Sequence, residues 1–139
     1  MAKLILDIEY DYNFILFGIS CHERDYRLSW ALNNTLHLEL AKTEDLKIDT
    51  KKQKESLSHA TFYYANEQDY LEYYLIANKG TMGLLLPEQK AADFFLLIKG
   101  SVTAETKILL LKAVKETSGV LMVFEIDPNK LKSKENLLF

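Results

Sequence analysis

Five consecutive large apolar residues, Phe94-Phe95-Leu96-Leu97-Ile98, narrow the choice of fold more than any other feature of this chain. The run is far shorter than the roughly 20 residues a membrane helix needs. As a strand it places hydrocarbon on both faces, because successive side chains point to opposite sides. A strand of that kind belongs at the centre of a sheet covered on both sides. It is predicted over residues 92–99. The remaining chain must then supply neighbouring strands and covering layers. With 139 residues and 48% hydrophobic composition, a single domain has enough apolar material for this without disulfides or metal.

Those neighbours are legible as periodicities. Residues 3–8 read as a short strand and residues 14–20 as a second apolar run, with Gly18 marking a bend. Leu28, Ala31, Leu32, Thr35 and Leu36 fall at i, i+3, i+4, i+7 and i+8, one face of a helix over residues 23–37. Residues 38–41 and 46–48 read as an edge strand, and the Lys-rich residues 49–58 as a solvated loop. Strands rich in Tyr, Phe, Leu and Ile are predicted over 61–65 and 70–77, joined by a hairpin loop at 66–69. A turn at 78–81 leads to a strand over 82–86, which Pro87 stops. A second helix is predicted over 103–118, with Thr103 as N-cap, Glu105 at the positive end and Gly119 at C′. Residues 120–126 form the last strand, Asp127-Pro128-Asn129 a turn, and 130–139 a charged tail. If the strands at either end of the 92–126 unit are parallel, their crossover should be right-handed. The expected fold is α+β: a mostly antiparallel mixed sheet with two main helices in a two-layer sandwich, one domain over residues 1–139.

Charge and composition narrow the function classes. The formal net charge is −3 and no basic run exists, which weighs against a nucleic-acid footprint. Tyr63, Tyr64, Tyr70, Tyr73 and Tyr74 could stack bases, but Glu67, Asp69 and Glu72 among them would repel phosphate. Cross-strand packing accounts for these tyrosines better. Cys21 is the lone cysteine, so no internal disulfide forms and a reducing compartment is expected. Asp7 interrupts the N-terminal apolar stretch too early for a signal-peptide core. The expectation is a cytoplasmic protein with neither a membrane nor a nucleic-acid partner.

Cys21-His22-Glu23-Arg24-Asp25 is the densest cluster of reactive residue types. A cysteine near a helix N-terminus can have a lowered pKa, which makes Cys21 and His22 ligand or nucleophile candidates. Adjacent residues, however, rarely present side chains to each other at catalytic geometry, so Cys21 reads first as a small buried hydrophobe. His22, His37 and His59 lack the spacing of a metal helix, and the five glycines form no phosphate-binding loop. No metal, cofactor or catalytic residue is expected. The opposite face of the first helix is the unusual one. Tyr26, Trp30, Asn33 and His37 stack there at helical spacing, on the side that should meet water. Tyr26, Trp30 and His37 are therefore interface candidates. Leu137, Leu138 and Phe139 end the chain, and they either dock on the body or serve as a peptide ligand.

One segment carries a family resemblance. Leu86-Pro87-Glu88-Gln89-Lys90-Ala91-Ala92-Asp93-Phe94 resembles the signature of the IPExxxVDY family of uncharacterised Bacteroidetes proteins. Pro87, Glu88 and Asp93 match that signature outright, while Leu86, Ala92 and Phe94 replace Ile, Val and Tyr. Ile19-Ser20-Cys21-His22-Glu23, Trp30-Ala31-Leu32-Asn33 and the segment from Phe124 to Leu131 also look like the family. The resemblance implies no activity. Physically, Pro87 suits a turn, Glu88 can accept from turn amides, and Asp93 needs a partner where the chain enters an apolar strand. Glu88 and Asp93 as an acid/base pair is the competing reading. The functional expectation is a non-enzymatic protein-interaction or self-association module, a homodimer or the partner of another protein. The alternative is a small-ligand-binding or enzymatic domain built on Cys21, His22, Glu88 and Asp93.

Overall fold

The computed structural model describes residues 14–48, 57–80 and 83–137. The strand expected at 3–8 lies outside them, as do residues 49–56 and Met82. The described chain forms β1 (Ile15–Cys21), α1 (Asp25–Leu36), β2 (Ala41–Lys42), β3 (Leu46–Ile48), β4 (Leu57–His59), β5 (Thr61–Asn66), β6 (Leu71–Ala77), β7 (Phe94–Lys99), α2 (Ala104–Glu116) and β8 (Val120–Ile126). Two short 3-10 turns follow, Pro128–Lys130 and Lys134–Leu137. Six strands make one sheet in the order β2-β5-β6-β7-β1-β8, and β3 pairs with β4 apart from it.

The apolar run sits where its pattern requires. β7 lies between β6 and β1, and Phe94 to Ile98 are all buried. Its alternate side chains enter two separate cores. Phe94, Leu96 and Ile98 join Phe17, Ile19, Leu28, Leu32 and Val114 under the helices. Phe95 and Leu97 join Leu16, Ile76, Leu85, Leu86, Leu131 and Leu137 on the other face. The helices and sheet are the two layers expected. The far face is covered by irregular chain, residues 83–92 and 127–137, together with Leu46 and Ile48 of the small hairpin.

Every ladder among the described strands is antiparallel, so the pairing is not mixed. β7 and β8 both run antiparallel to β1 and are therefore parallel to each other, with α2 carrying the chain between them. α1 ends in a left-handed residue, His37 at φ 58°, rather than a glycine. Such a cap costs about 1–2 kcal/mol. The Asn33 side chain holds it from both sides, donating to the Leu40 carbonyl (3.1 Å) and accepting from the Leu40 amide (2.8 Å). Thr103 caps α2 as expected, accepting from the Thr106 amide at 3.1 Å. Gly119 is not at C′. The helix stops at Glu116 with Thr117 as an extended C-cap, and Gly119, at φ +90°, instead shapes the turn into β8.

Three other expectations need correction. The edge strand read over 38–41 and 46–48 is two strands in two sheets: β2 pairs with β5, and β3 turns away to pair with β4. Asp45 holds the departure point, accepting from Lys42 Nζ (2.6 Å) and Ser58 Oγ (2.9 Å). The loop read over 49–58 gives way to β4 at Leu57. Of the strand read over 82–86, the described residues 83–86 are not a strand. Leu84 makes a single bridge to Lys79, and the amides of Leu85 and Leu86 turn to Asn78. They donate to the Asn78 backbone carbonyl (2.7 Å) and to its Oδ1 (2.9 Å).

Asn78 is the hub of that loop. Its side chain is fully buried, and Nδ2 donates to the carbonyls of Gln89 (3.0 Å) and Ala92 (2.9 Å). One side chain thus satisfies three backbone groups that no strand reaches, two of them in buried bonds. Asn78→Ala would orphan all three and should cost about 3 kcal/mol or more, read as a lower urea midpoint at unchanged slope.

His59 is equally enclosed. Nδ1 lies 3.0 Å from the Ala77 carbonyl, and the buried Nε2 has no partner among the described residues. Burial pushes its pKa below the ordinary 6.5, against the opposing pulls of the Ala77 carbonyl and Asp45. The unfolded chain binds this proton first, so the neutral ring's contribution is full above about 6.5 and is lost as pH falls through the lower folded value. Chemical denaturation between about pH 7 and pH 5 should show stability falling with acid, by a smaller slope in His59→Gln.

Candidate functional site

The signature-like segment is the first place to look for chemistry, and its groups are already engaged. The Asp93 amide donates to the Ile19 carbonyl at 2.8 Å, and its carbonyl accepts from the Asn78 amide at 3.0 Å. Its Oδ2 accepts from the Cys21 amide at 2.8 Å. Asp93 therefore extends the β1–β7 ladder one step beyond Phe94 and ties off the end of β1. Glu88 works on another element. Its Oε2 accepts from the Ser133 amide at 2.8 Å, anchoring the chain after β8. Burial raises the Glu88 pKa, but hydrogen bonds from its own backbone, Ser133 and Lys132 outweigh it, and the net shift is below 4.5. The two carboxylates serve different segments and do not form a shared acid/base site. Leu86 and Ala92 are buried on the far face and Phe94 in the helix-side core, while Pro87 is exposed at the turn.

Cys21 closes β1 and is 3% exposed. Its Sγ accepts weakly from the Glu23 amide at 3.4 Å. Burial raises the thiol pKa above 9.0; the Glu23 amide opposes this, and the charges of Glu23 and Asp93 add to it. The group is therefore held as a thiol, the opposite of an activated nucleophile. His22 is exposed, so the two ligand candidates do not share a surface. Among the described residues, no three His, Cys, Asp or Glu side chains gather into a metal-holding group.

The tyrosines pair across strands. Tyr63 faces Tyr74 and Tyr64 faces Tyr73 in the β5–β6 register, with ring centroids 4.9 Å and 6.1 Å apart. Tyr63 donates to Glu72 Oε2 at 2.6 Å, and that bond to a carboxylate, ahead of burial, pushes its pKa up to about 12. Tyr70 stands apart at the hairpin, with φ 56° and its ring exposed.

The aromatic stripe of α1 divides into three. Asn33 is the clamp described above, and His37 is the exposed cap at the far end. Tyr26 and Trp30 remain, 58% and 68% exposed. They border a cleft of about 410 Å³ with Glu23, Arg27, Ala31 and the Ser118-Gly119 turn. Gly119 makes the cleft's geometry possible. Its φ of +90° lies where L side chains rarely go, and a Cβ there would also press on Glu23 Cγ at 2.9 Å, a side chain that would have to shift. A larger cleft, about 570 Å³, lies beside the Lys107–Glu125 ion pair and contains none of the candidate residues.

Leu137 is not available to a partner. It is 1% exposed, packed in the far-face core, and Asn136 beside it donates to the Leu85 carbonyl at 2.8 Å. Of the two readings of Leu137, the structure takes docking on the body, because burying that face of the sheet takes the C-terminal chain as well. Leu138 and Phe139 lie outside the described residues.

Sequence reading missed a second apolar surface. Ile108 and Leu109 of α2 are 64% and 65% exposed, and Leu121 and Met122 of β8 are 64% and 47% exposed. A signal existed in Ile108-Leu109-Leu110-Leu111. Four consecutive apolar residues on a helix cannot all face one side at about 100° per residue.

Helices across the described residues are neither long nor apolar enough to cross a membrane. No family model and no curated protein matches the chain. The thiol's enclosure makes a direct prediction. In the native protein Cys21 should react with an aromatic disulfide reagent far more slowly than in the urea-unfolded chain at the same pH. Equal rates would show that the β1 end opens freely.

Proposed function

We propose that this protein is a non-enzymatic interaction module whose recognition element is the Tyr26/Trp30 cleft, which takes an apolar side chain of a protein partner. The carrying observation is the exposure of Tyr26 and Trp30 at the border of a cleft, while Cys21, Glu88 and Asp93 are each bound into the fold. Large aromatic rings held on a rigid helix lose little entropy on binding, and Trp and Tyr dominate interface energetics. Their position on the rim favours a protein surface, since small-molecule sites enclose 70–90% of a ligand. The resemblance of residues 86–94 supports placing the chain with the IPExxxVDY proteins, and a buried free thiol is compatible with a reducing, cytoplasmic setting.

Trp30 is the chain's single tryptophan, so its emission reports on the cleft alone. A stoichiometric partner should shift that emission to the blue. Trp30→Ala should weaken binding on the order of 2 kcal/mol, about 30-fold, without loss of fold. A partner whose binding leaves the emission unchanged and tolerates Trp30→Ala would overturn the assignment. The second reading, a small aromatic ligand, draws on the cleft's volume, which falls in the range of about 300–1,000 Å³ usual for ligand sites. It predicts saturable quenching of Trp30 by a small molecule.

A further inference from the structure

Among the described residues, His59 Nε2 is the only buried side-chain nitrogen or oxygen with no hydrogen-bond partner. The other ring nitrogen, Nδ1, faces the Ala77 carbonyl at 3.0 Å. A carbonyl cannot donate, so Nδ1 carries the proton and the neutral Nε2 presents a bare lone pair. A second proton has to go to Nε2, where no described acceptor meets it. The Gly80 backbone closes over the ring, so near that a Cβ there would stand 2.6 Å from Cε1 and 2.8 Å from Nδ1.

The two elements that meet at this ring are held unequally. On one side Asn78 fixes the turn and the loop after it, through bonds to Leu85, Leu86, Gln89, Ala92 and Asp93. On the other, β3 and β4 form a ladder of three residue pairs outside the six-stranded sheet. Ser58 Oγ donates to Asp45 at 2.9 Å and keeps the two strands together. Thr61 Oγ1 accepts from the Leu46 amide (3.2 Å) and donates to the His59 carbonyl (3.0 Å), both at the base of the hairpin. Beyond that base, Leu46 and Ile48 pack on the far-face core.

We propose that His59 is an acid-operated latch: its neutral ring holds the β3–β4 hairpin on the far-face core, and protonation at Nε2 releases the hairpin while the six-stranded sheet stays folded. Release lifts Leu46 and Ile48 and uncovers apolar surface. Among the charged groups on the described chain around the ring, Glu44, Lys47 and Lys79 are exposed. Asp45 is the charge that acts on the imidazole, favouring its protonation. Hydrogen bonds from Lys42 and Ser58 hold the Asp45 carboxyl below 3.8, so it stays ionised while the latch works. Burial keeps the closed ring below the 6.5 at which a solvated one titrates. The open-to-closed ratio is therefore flat above about pH 6.5 and rises about tenfold per pH unit below it. It levels off once the closed ring is protonated too.

Amide exchange on the full chain, resolved by NMR and divided by the intrinsic rate at each pH, reads this ratio. Protected amides of Leu46–Ile48 and Leu57–His59 should lose about tenfold in protection per pH unit below about pH 6.5. They should do so through openings that dilute urea does not accelerate, because little surface is exposed. Amides of Phe94–Lys99 should stay far better protected and respond steeply to urea. His59→Gln should abolish the hairpin's pH slope. If that variant does not fold, the native ring's own titration decides: its midpoint should lie below 6.5, with the hairpin resonances moving in step. Hairpin and central amides that share one protection and one urea dependence at every pH would overturn the latch, since acid would then act through global unfolding alone. So would a slope that survives His59→Gln, or a ring that titrates while the hairpin resonances stay still.

Discussion

A strand with large apolar side chains on both faces cannot be solvated on either, and the architecture follows from covering β7 twice. Helices cover one face in the usual way, by turning Leu28, Leu32 and Val114 onto the sheet. Among the described residues the other face receives no α-helix. Loops have to do the work there, and loops carry backbone groups that no ladder satisfies. Asn78 answers this for residues 85–92, Glu88 for the start of the C-terminal segment, and Asn136 for its end. Side-chain amides and a carboxylate take the place that helix hydrogen bonds hold on the opposite side.

That arrangement explains why the polar residues of the signature-like segment look catalytic and are not placed for catalysis. An acid near a cysteine and a second acid on a turn suggest proton transfer when read in one dimension. In three dimensions Asp93 binds the Cys21 amide rather than activating the thiol, and its negative charge helps keep that thiol protonated. Glu88 faces a different element, and its hydrogen bonds favour the ionised form, which suits an anchor and not a general acid. Each carboxylate thus spends an oxygen on a backbone amide of a different segment. The exposed large side chains are aromatic and aliphatic, at the α1 cleft, on α2 and along β8.

Several elements were legible because local chemistry dictates them. The 3.6-residue period of Leu28, Leu32 and Leu36 made a helix readable within two residues of its ends, and Thr103 announced the start of the next. Runs rich in Tyr, Phe, Leu and Ile made β5 and β6 readable, and their tyrosines pack across the two strands. Other features were hidden for a physical reason. Residues 82–86 are apolar and short, and periodicity cannot separate a strand from a buried loop of that length. The deciding fact is that Asn78 takes their amides. Likewise the Tyr26/Trp30/Asn33/His37 stripe is one face by spacing, yet its members do unlike things because Leu40 returns to meet Asn33.

Local pattern alone settled the α+β class, both helices, most strands and the central place of β7, since each depends on neighbours within a few residues. Tertiary structure alone decided which apolar surface stays in water. Val120 to Phe124 reads, residue for residue, like another apolar strand, and Leu137 like an apolar end that either docks or stays free. Sheet order decides both. β8 falls at the edge and exposes Leu121 and Met122, while the far face of the sheet draws Leu137 into a core. Burial is a property of where strands are placed relative to one another, and that placement is carried by contacts between residues far apart in the chain.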